Sequence, residues 1–487
     1  MDGRLHPLDY GVVCAYLLAM IAMGWVMASR IRAFKDYFLA GGMLTTPLLV
    51  CTLVSTYYEL DVTFATSESG YYYGLVAWFW LSRPYYVCII LAALLVAPRL
   101  KRMSQTAGGS FMTLPDLLEH HYGVRTRVVG AVACFVYSLP ITAIAGMVIV
   151  FELLGWRSDI GLALAIGVCA LYTIVGGLWA DAITDTVQFV LMCVALAVAI
   201  PPALEWVGGF SFVEQLPGEH MTATGGLSPW LIAAWTAGAL TVFVEPAFYQ
   251  RVFAAKDTQS IIRALLIGIV LWAAYDWGVT LIGMIGRAAV DQGLLAEEAE
   301  GKRALMAVCA QSLPIGLRGL FIGGVLSAAM SSVDSYGLLA SGNLVYDIYR
   351  PLSGKRLDDR TLIRATRVGV FAVMLIAAAA SLAFEKITDA WVFMSGVMAS
   401  VVFVPVVGAL FLRPARGAGL WGCTAGLAAF IAYYGCVYVL GVPDEEAESY
   451  VWRIAGWELW REYAVIFALP LSAAGFAVGH FFASRKR

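Results

Sequence analysis

Seven acidic side chains stand inside long apolar runs of this sequence: Glu59, Asp61, Glu68, Asp185, Glu245, Asp276 and Asp334. A carboxylate without water is costly unless a cation or hydrogen-bond donors accompany it, so acids in such runs mark ion or substrate sites. Hydroxyls keep them company. Ser55, Thr56, Thr63 and Thr66 flank Glu59 and Asp61, while Ser331, Ser332 and Ser335 flank Asp334. Oxygen donors of this kind suit a hard monovalent cation such as Na+. Asp181, Asp185 and Gln188 follow i, i+4, i+7 and share one helix face. A single basic residue, Arg83, lies deep in an apolar run. Unpaired acids in a low-dielectric cavity favour a small solute that carries a positive charge or an amino group. Tyr57, Tyr58, Tyr71, Phe248 and Trp277 would add cation–π contacts. The alternatives are acids that are protonated, that pair with Arg83, or that bind a polyol or the amine of a zwitterion.

These residues need an apolar scaffold, and the composition supplies one. Of 487 residues, 61% are hydrophobic and 14% are charged. Soluble domains carry about 25% charged residues, so the chain reads as an all-α polytopic membrane protein in one transmembrane domain, 1–487. The net charge of -2 and the lack of a basic block exclude a nucleic-acid partner. The nine cysteines form no Cys-x-x-Cys pair and read as small apolar residues. About 20 apolar residues span a bilayer. Thirteen runs qualify, near 9–29, 45–66, 74–98, 128–155, 159–179, 183–204, 229–249, 261–286, 315–346, 364–384, 389–412, 419–441 and 463–484. Most of the 32 lysines and arginines, among them Arg32, Lys35, Arg99, Lys101, Arg127, Arg251, Lys256 and Arg350, fall on one side of this arrangement. The positive-inside bias then puts the N-terminus outside and the C-terminus in the cytoplasm, in the plasma (inner) membrane. The segment 113–122 reads as a short interfacial helix ending in His120 and His121, and 294–309 as an amphipathic stretch of an outer loop. Trp78, Trp452, Trp457 and Trp460 read as an aromatic belt at the lipid interface.

Irregular backbone at membrane depth occurs only where it lines a cavity or is buried in protein. The second run is too polar to face lipid, and a break is expected near Ser55–Asp61. The seventh carries Glu245-Pro246 deep inside, where proline removes a donor and kinks the helix. Runs two and seven are five apart, the interval of an inverted repeat over 45–204 and 229–412.

Three motifs then resemble one family. Tyr172–Gln188 reads YTIVGGLWADAITDTVQ, Gln250–Lys256 reads QRVFAAK and Ser327–Arg350 reads SAAMSSVDSYGLLASGNLVYDIYR. All three are similar to stretches of the sodium:solute symporters, and the first and third are close to the choline-transporting relatives. The resemblance implies a LeuT-type fold of ten core helices in two inverted repeats, with extra N- and C-terminal helices. It implies a sodium site formed by the carbonyls of Ser55, Tyr58 and Ala328 and the hydroxyls of Ser331 and Ser332. Some relatives bind a further cation, which would here involve Asp185, Asp334 and Ser335. It also implies that Tyr57, Glu59, Asp61 and Glu245 surround the substrate cavity, to which the intramembrane Asp276 is added. Asp181 stands where the family more often has valine. At Glu245 the sugar-transporting relatives have asparagine and the choline-transporting relative has tryptophan.

The expected function is import of a small organic solute, amine-bearing or cationic, driven by the sodium gradient through alternating access. Na+ is the coupling ion and no other cofactor is expected; the partners are the solute, Na+ and the bilayer, with no obligate protein partner. Alternatives are a symporter for a sugar, amino acid or monocarboxylate and a sensor on the same fold. No Walker, Rossmann or His-Glu-x-x-His motif occurs, and the five histidines lie near ends or loops, so an enzyme is not expected.

Overall fold

The computed structural model describes residues 6–27, 31–109, 111–153, 155, 157–296, 301–354, 357–382, 387–412, 414–444 and 449–485. The side chain of Asp61 lies outside that description. Helices account for nearly all of it. In chain order they are α1 Pro7–Met27, α2 Phe34–Leu39, α3 Thr46–Tyr57, α4 Leu60–Tyr73, α5 Ala77–Thr106, α6 Leu114–Tyr122, α7 Val124–Tyr137, α8 Ile141–Leu153 and α9 Ser158–Trp206. They continue as α10 Pro229–Gly238, α11 Pro246–Ala254, α12 Thr258–Asp291, α13 Ala304–Ser312, α14 Leu317–Gly342, α15 Asp359–Ser381, α16 Ile387–Phe411, α17 Arg416–Leu440 and α18 Ala464–Ser484.

Among the described residues ten helical runs are long and apolar enough to cross a membrane, and the bent pair α3–α4 makes an eleventh. Two of the thirteen expected runs account for the difference. Runs 159–179 and 183–204 both lie in α9, which is interrupted rather than ended at Gly177 (φ 52, ψ -154). A Cβ there would sit 2.4 Å from the Tyr37 carbonyl oxygen, so only glycine fits. The Tyr37 hydroxyl enters the interruption and donates to the carbonyls of Thr173 and Ile174 at 3.3 and 3.2 Å. The other missing run is α14. It is 26 residues long, and every residue from Phe321 to Gly342 is buried. A helix enclosed by protein needs no apolar lipid face, so it can carry the polar motif SSVDS.

The helix α14 is held from outside itself. Asp9 of α1 is fully buried, and its Oδ1 accepts from the backbone N–H groups of Gly316 and Gly319 at 2.7 and 2.9 Å. The first N–H groups of a helix lack intrahelical partners. A carboxylate from another helix takes the place of a cap.

The structure corrects the expected places of two arginines and gives other sequence-marked residues their elements. Arg127, expected as a loop charge, is buried and makes ion pairs with Asp116 (3.1 Å), Asp347 (2.6 Å) and Glu119, which ties α6 to the segment after α14. The expected amphipathic outer stretch ends in α13, of which Ala304–Cys309 is buried. Trp452, Trp457 and Trp460 belong to a three-stranded antiparallel sheet, β1 Val442–Asp444, β2 Ser449–Ile454 and β3 Trp457–Trp460, with Val451 paired to both Val442 and Trp460. Trp78 packs on Trp277 with ring centroids 5.1 Å apart. Arg83 is exposed and lies over Phe79 and Trp80, so it does not neutralise the intramembrane acids.

Asp9→Ala is expected to destabilise the protein by about 1–2 kcal/mol, the usual cost of losing a cap. Thermal unfolding of purified protein in detergent would show it as a lowered midpoint, with Asp9→Asn, which keeps one acceptor oxygen, falling between.

Candidate functional site

Two helix breaks face each other at the centre of the molecule. α3 ends at Tyr57, Tyr58 leaves the helical region (φ -93, ψ 61), and α4 starts at Leu60 with its axis bent by 58° from that of α3. Across from it the chain runs through a tight turn at Ala239–Phe243, loses helical geometry at Val244, and resumes as α11 at Pro246. Proline suits the first helical position, where no N–H partner is needed. Glu245 caps α11 with its carboxylate, which accepts from the Ala247 N–H at 3.2 Å.

Breaks free carbonyls, and side chains answer them. Ser331 Oγ donates to the Ser55 carbonyl at 2.9 Å and lies 3.0 Å from the Ala328 carbonyl. Ser332 Oγ donates to the Ala328 carbonyl at 3.0 Å. Trp272 Nε1 reaches the Val54 carbonyl at 3.4 Å, and the Tyr249 hydroxyl reaches that of Phe243 at 2.9 Å. Ser55, Ala328, Ser331 and Ser332 are thus brought together, with Tyr58 at the break itself.

A cavity of about 180 Å³ opens beside the breaks. One buried water needs roughly 10–15 Å³, so the space suits a small organic molecule. Its lining includes Tyr57, Tyr58, Glu59, Glu68, Glu245 and Asp276, with Tyr85, Tyr86, Tyr137, Tyr336, Trp272 and Trp391. No lysine or arginine lines it among the described residues. Glu245 and Asp276 are buried. Tyr336 donates to Glu245 Oε1 at 3.2 Å, and the hydroxyls of Tyr58 and Tyr86 each donate to one oxygen of Asp276. Of the aromatics expected around a cation, Tyr57 and Tyr58 line the cavity, whereas Tyr71, Phe248 and Trp277 do not. Trp277 is turned outward and 41% exposed.

The cavity follows α4 and the turn before α11, and the opposite halves of both broken helices are sealed. All nine residues of α11 are buried. Lys101 of α5 donates to the carbonyls of Val252, Phe253 and Ala255, the end of α11, at 3.3, 3.4 and 2.5 Å. A cation there complements the helix dipole. Leu44 exchanges backbone hydrogen bonds with Ala254 and Lys256, and Gln250 Nε2 donates to the Phe38 carbonyl at 2.9 Å.

A second polar cluster lies behind the serine pair. One carboxylate oxygen from each of Asp181, Asp185 and Asp334 falls within 4.8 Å of the others, and all three residues are buried. Thr52 Oγ1 donates to Asp185 Oδ2 at 2.5 Å, and the Ser335 N–H donates to Asp334 Oδ1 at 2.8 Å. Asp185 Oδ1 and Asp334 Oδ2 make no hydrogen bond among the described residues. Arg251, read from sequence as a loop charge, is fully buried here and pairs with Asp181 at 3.2 Å.

A model described as the sodium:solute symporter family matches residues 37–426. The chain belongs to that family. The symporter is 27% identical over 437 residues to the high-affinity proline transporter PutP of Bacillus subtilis, which covers 84% of this chain and 87% of the relative. It is 23% identical over 425 residues to the sodium/pantothenate symporter of Escherichia coli, covering 83% and 86%. Its fold matches the substrate-bound, outward-open structure of a Na+-coupled sialic acid symporter with a TM-score of 0.82 over 98% of both chains, at 18% identity. The symporter has this LeuT-type fold, and Na+ is its coupling ion. It moves a small solute together with Na+ across a membrane.

Sequence reasoning missed the aromatic wall of Tyr85, Tyr86, Tyr137, Tyr336 and Trp272, and it missed Arg251. The motif QRVFAAK marks Arg251, but its burial comes from packing around α11, all nine residues of which are buried.

A ligand that binds only the folded state stabilises it by RT ln(1 + [L]/Kd). Replacing K+ by Na+ at a hundredfold excess over Kd is therefore expected to stabilise the purified symporter by about 2.7 kcal/mol, read as a higher unfolding temperature.

Proposed function

We propose that the symporter imports an amine-bearing or cationic solute. The observation that carries this is a cavity walled by Glu59, Glu68, Glu245 and Asp276 with tyrosines and tryptophans, and by no lysine or arginine among the described residues. Carboxylates in a low-dielectric space attract a cation strongly, and aromatic faces add cation–π attraction. Relatives named for proline and pantothenate point to an amino acid and a carboxylate, the alternatives, so the amine reading rests on the cavity lining.

Coupling follows from shared residues. Sodium is held by the carbonyls of Ser55, Tyr58 and Ala328 and the hydroxyls of Ser331 and Ser332. The ion replaces the Ser331–Ser55 hydrogen bond, so it bridges the break in α3–α4 to α14. Tyr57 and Glu59, one residue to either side of Tyr58, line the cavity. Fixing the break orders them for the solute. A second cation uses Asp185, Asp334 and Ser335. A bundle of helices then rocks against the remaining scaffold, and solute and ions leave on the far side. With the N-terminus outside and the C-terminus in the cytoplasm of the plasma (inner) membrane, the cavity faces outward and α3 and α11 form the inner seal. Each charge carried across 100 mV contributes about 2.3 kcal/mol, about fiftyfold in solute concentration.

A thermal-shift screen of amines, amino acids, carboxylates and sugars, with and without Na+, tests the solute class. Amines and organic cations are expected to stabilise, and only with Na+ present, and Glu245→Gln is expected to weaken that effect at least tenfold in half-saturating concentration. Stabilisation by neutral sugars alone would overturn the reading. Ser332→Ala is expected to raise the Na+ concentration needed for half-maximal stabilisation at least tenfold, about 1.4 kcal/mol.

A further inference from the structure

Three buried carboxylates share their cluster with one buried guanidinium, and the hydrogen bonds are not shared evenly. Arg251 Nη2 lies 2.7 Å from Ser335 Oγ, 3.0 Å from Thr56 Oγ1, 3.1 Å from Thr52 Oγ1 and 3.2 Å from Asp181 Oδ2. Its Nη1 donates to Gln250 Oε1 at 2.7 Å. Ser335 Oγ in turn lies 2.9 Å from both oxygens of Asp181. Asp181 thus faces the arginine directly and again through one hydroxyl. Asp185 has no direct contact with Arg251, yet Thr52 Oγ1 touches both. One hydroxyl therefore separates the guanidinium from a second carboxylate that has an oxygen to spare.

Charge decides what this arrangement does. A buried guanidinium must have a carboxylate partner, because an uncompensated charge without water is strongly unfavourable. If Asp181 were neutral, Asp185 is the acid that one shared hydroxyl, that of Thr52, joins to the guanidinium. Arginine would then occupy the carboxylate that a mobile cation needs.

We propose that Asp181 is a positioning residue for ion coupling: by holding the charge of Arg251, it keeps Asp185 and Asp334 open to a mobile cation. The inference rests on the reading that Asp185, Asp334 and Ser335 bind a second Na+. Asp181 itself is not a ligand of that ion. Its function is to keep a tethered cation from competing with a free one.

Equilibrium binding of radioactive Na+ to the purified full chain, counted per molecule, tests this with Na+ as the only probe. The wild type is expected to bind two ions and Asp185→Asn one. Asp181→Asn is expected to bind one as well, because Arg251 moves to Asp185. The double variant Asp181→Asn/Arg251→Gln, which has no guanidinium to misplace, is expected to bind two again. If Asp181→Asn binds as many ions as the wild type while Asp185→Asn loses one, the positioning role is wrong and the second site stands. If the double variant also binds one, Asp181 is a ligand and the positioning role is overturned. If Asp185→Asn binds as many ions as the wild type, the second-site reading itself falls and takes this inference with it. Should Asp181→Asn not fold, the double variant still decides: recovery of a folded protein binding two ions supports the pairing, and one ion overturns it.

Discussion

Inside a bilayer, a backbone group without a partner cannot turn to water, and this constraint shapes the centre of the symporter. Beside the cavity two helices are broken, at Tyr58–Glu59 and at Val244–Glu245, and each break releases carbonyls. Ser331 and Tyr249 supply donors to the freed carbonyls of Ser55 and Phe243, and Trp272 adds one to that of Val54, which the Tyr58 N–H already meets. These donors come from α14, α12 and α11. Repairing the breaks therefore ties them to their surroundings, and the cavity lies where the repaired segments meet. Site and scaffold are one solution to one hydrogen-bonding problem.

The same economy explains the burial of α14. A helix bearing serines at 331, 332 and 335 and an aspartate at 334 could not face lipid. It is enclosed by α1, α3, α8, α9 and α15 instead, and its first turn is capped from α1 by Asp9. The extra N-terminal helix thus supports the element that carries the serine pair.

Much of this was legible in the sequence, for physical reasons. Polar residues at 55–66 and a Glu-Pro pair at 245–246 cannot sit in ordinary spanning helices, so the breaks could be located to within a few residues. Glu59, Glu245 and Asp276 could be marked because acids at membrane depth need a purpose. The remainder depended on three-dimensional placement. Tyrosine in a spanning helix reads equally as interface belt or cavity wall, which hid Tyr86, Tyr137 and Tyr336. Arg251 stands just past the apolar run 229–249, so it counted as a loop charge; only the fold shows it surrounded. Runs 159–179 and 183–204 gave no sign that the chain between them stays helical on both sides of one glycine. The sheet 442–460 is built from strands of three to six residues, too short for alternation to stand out.

The Thr52 hydroxyl has a further consequence. A hydroxyl owns a single proton, and at Thr52 that proton goes to Asp185, so its lone pair is what Arg251 finds. The contact therefore has a polarity, running from the guanidinium through one oxygen to the carboxylate. Each end is informed of the other through the direction in which one O–H bond points. A change in the charge state of Asp185 can thus be registered in α11 by a rotation about one side-chain bond, before any helix moves.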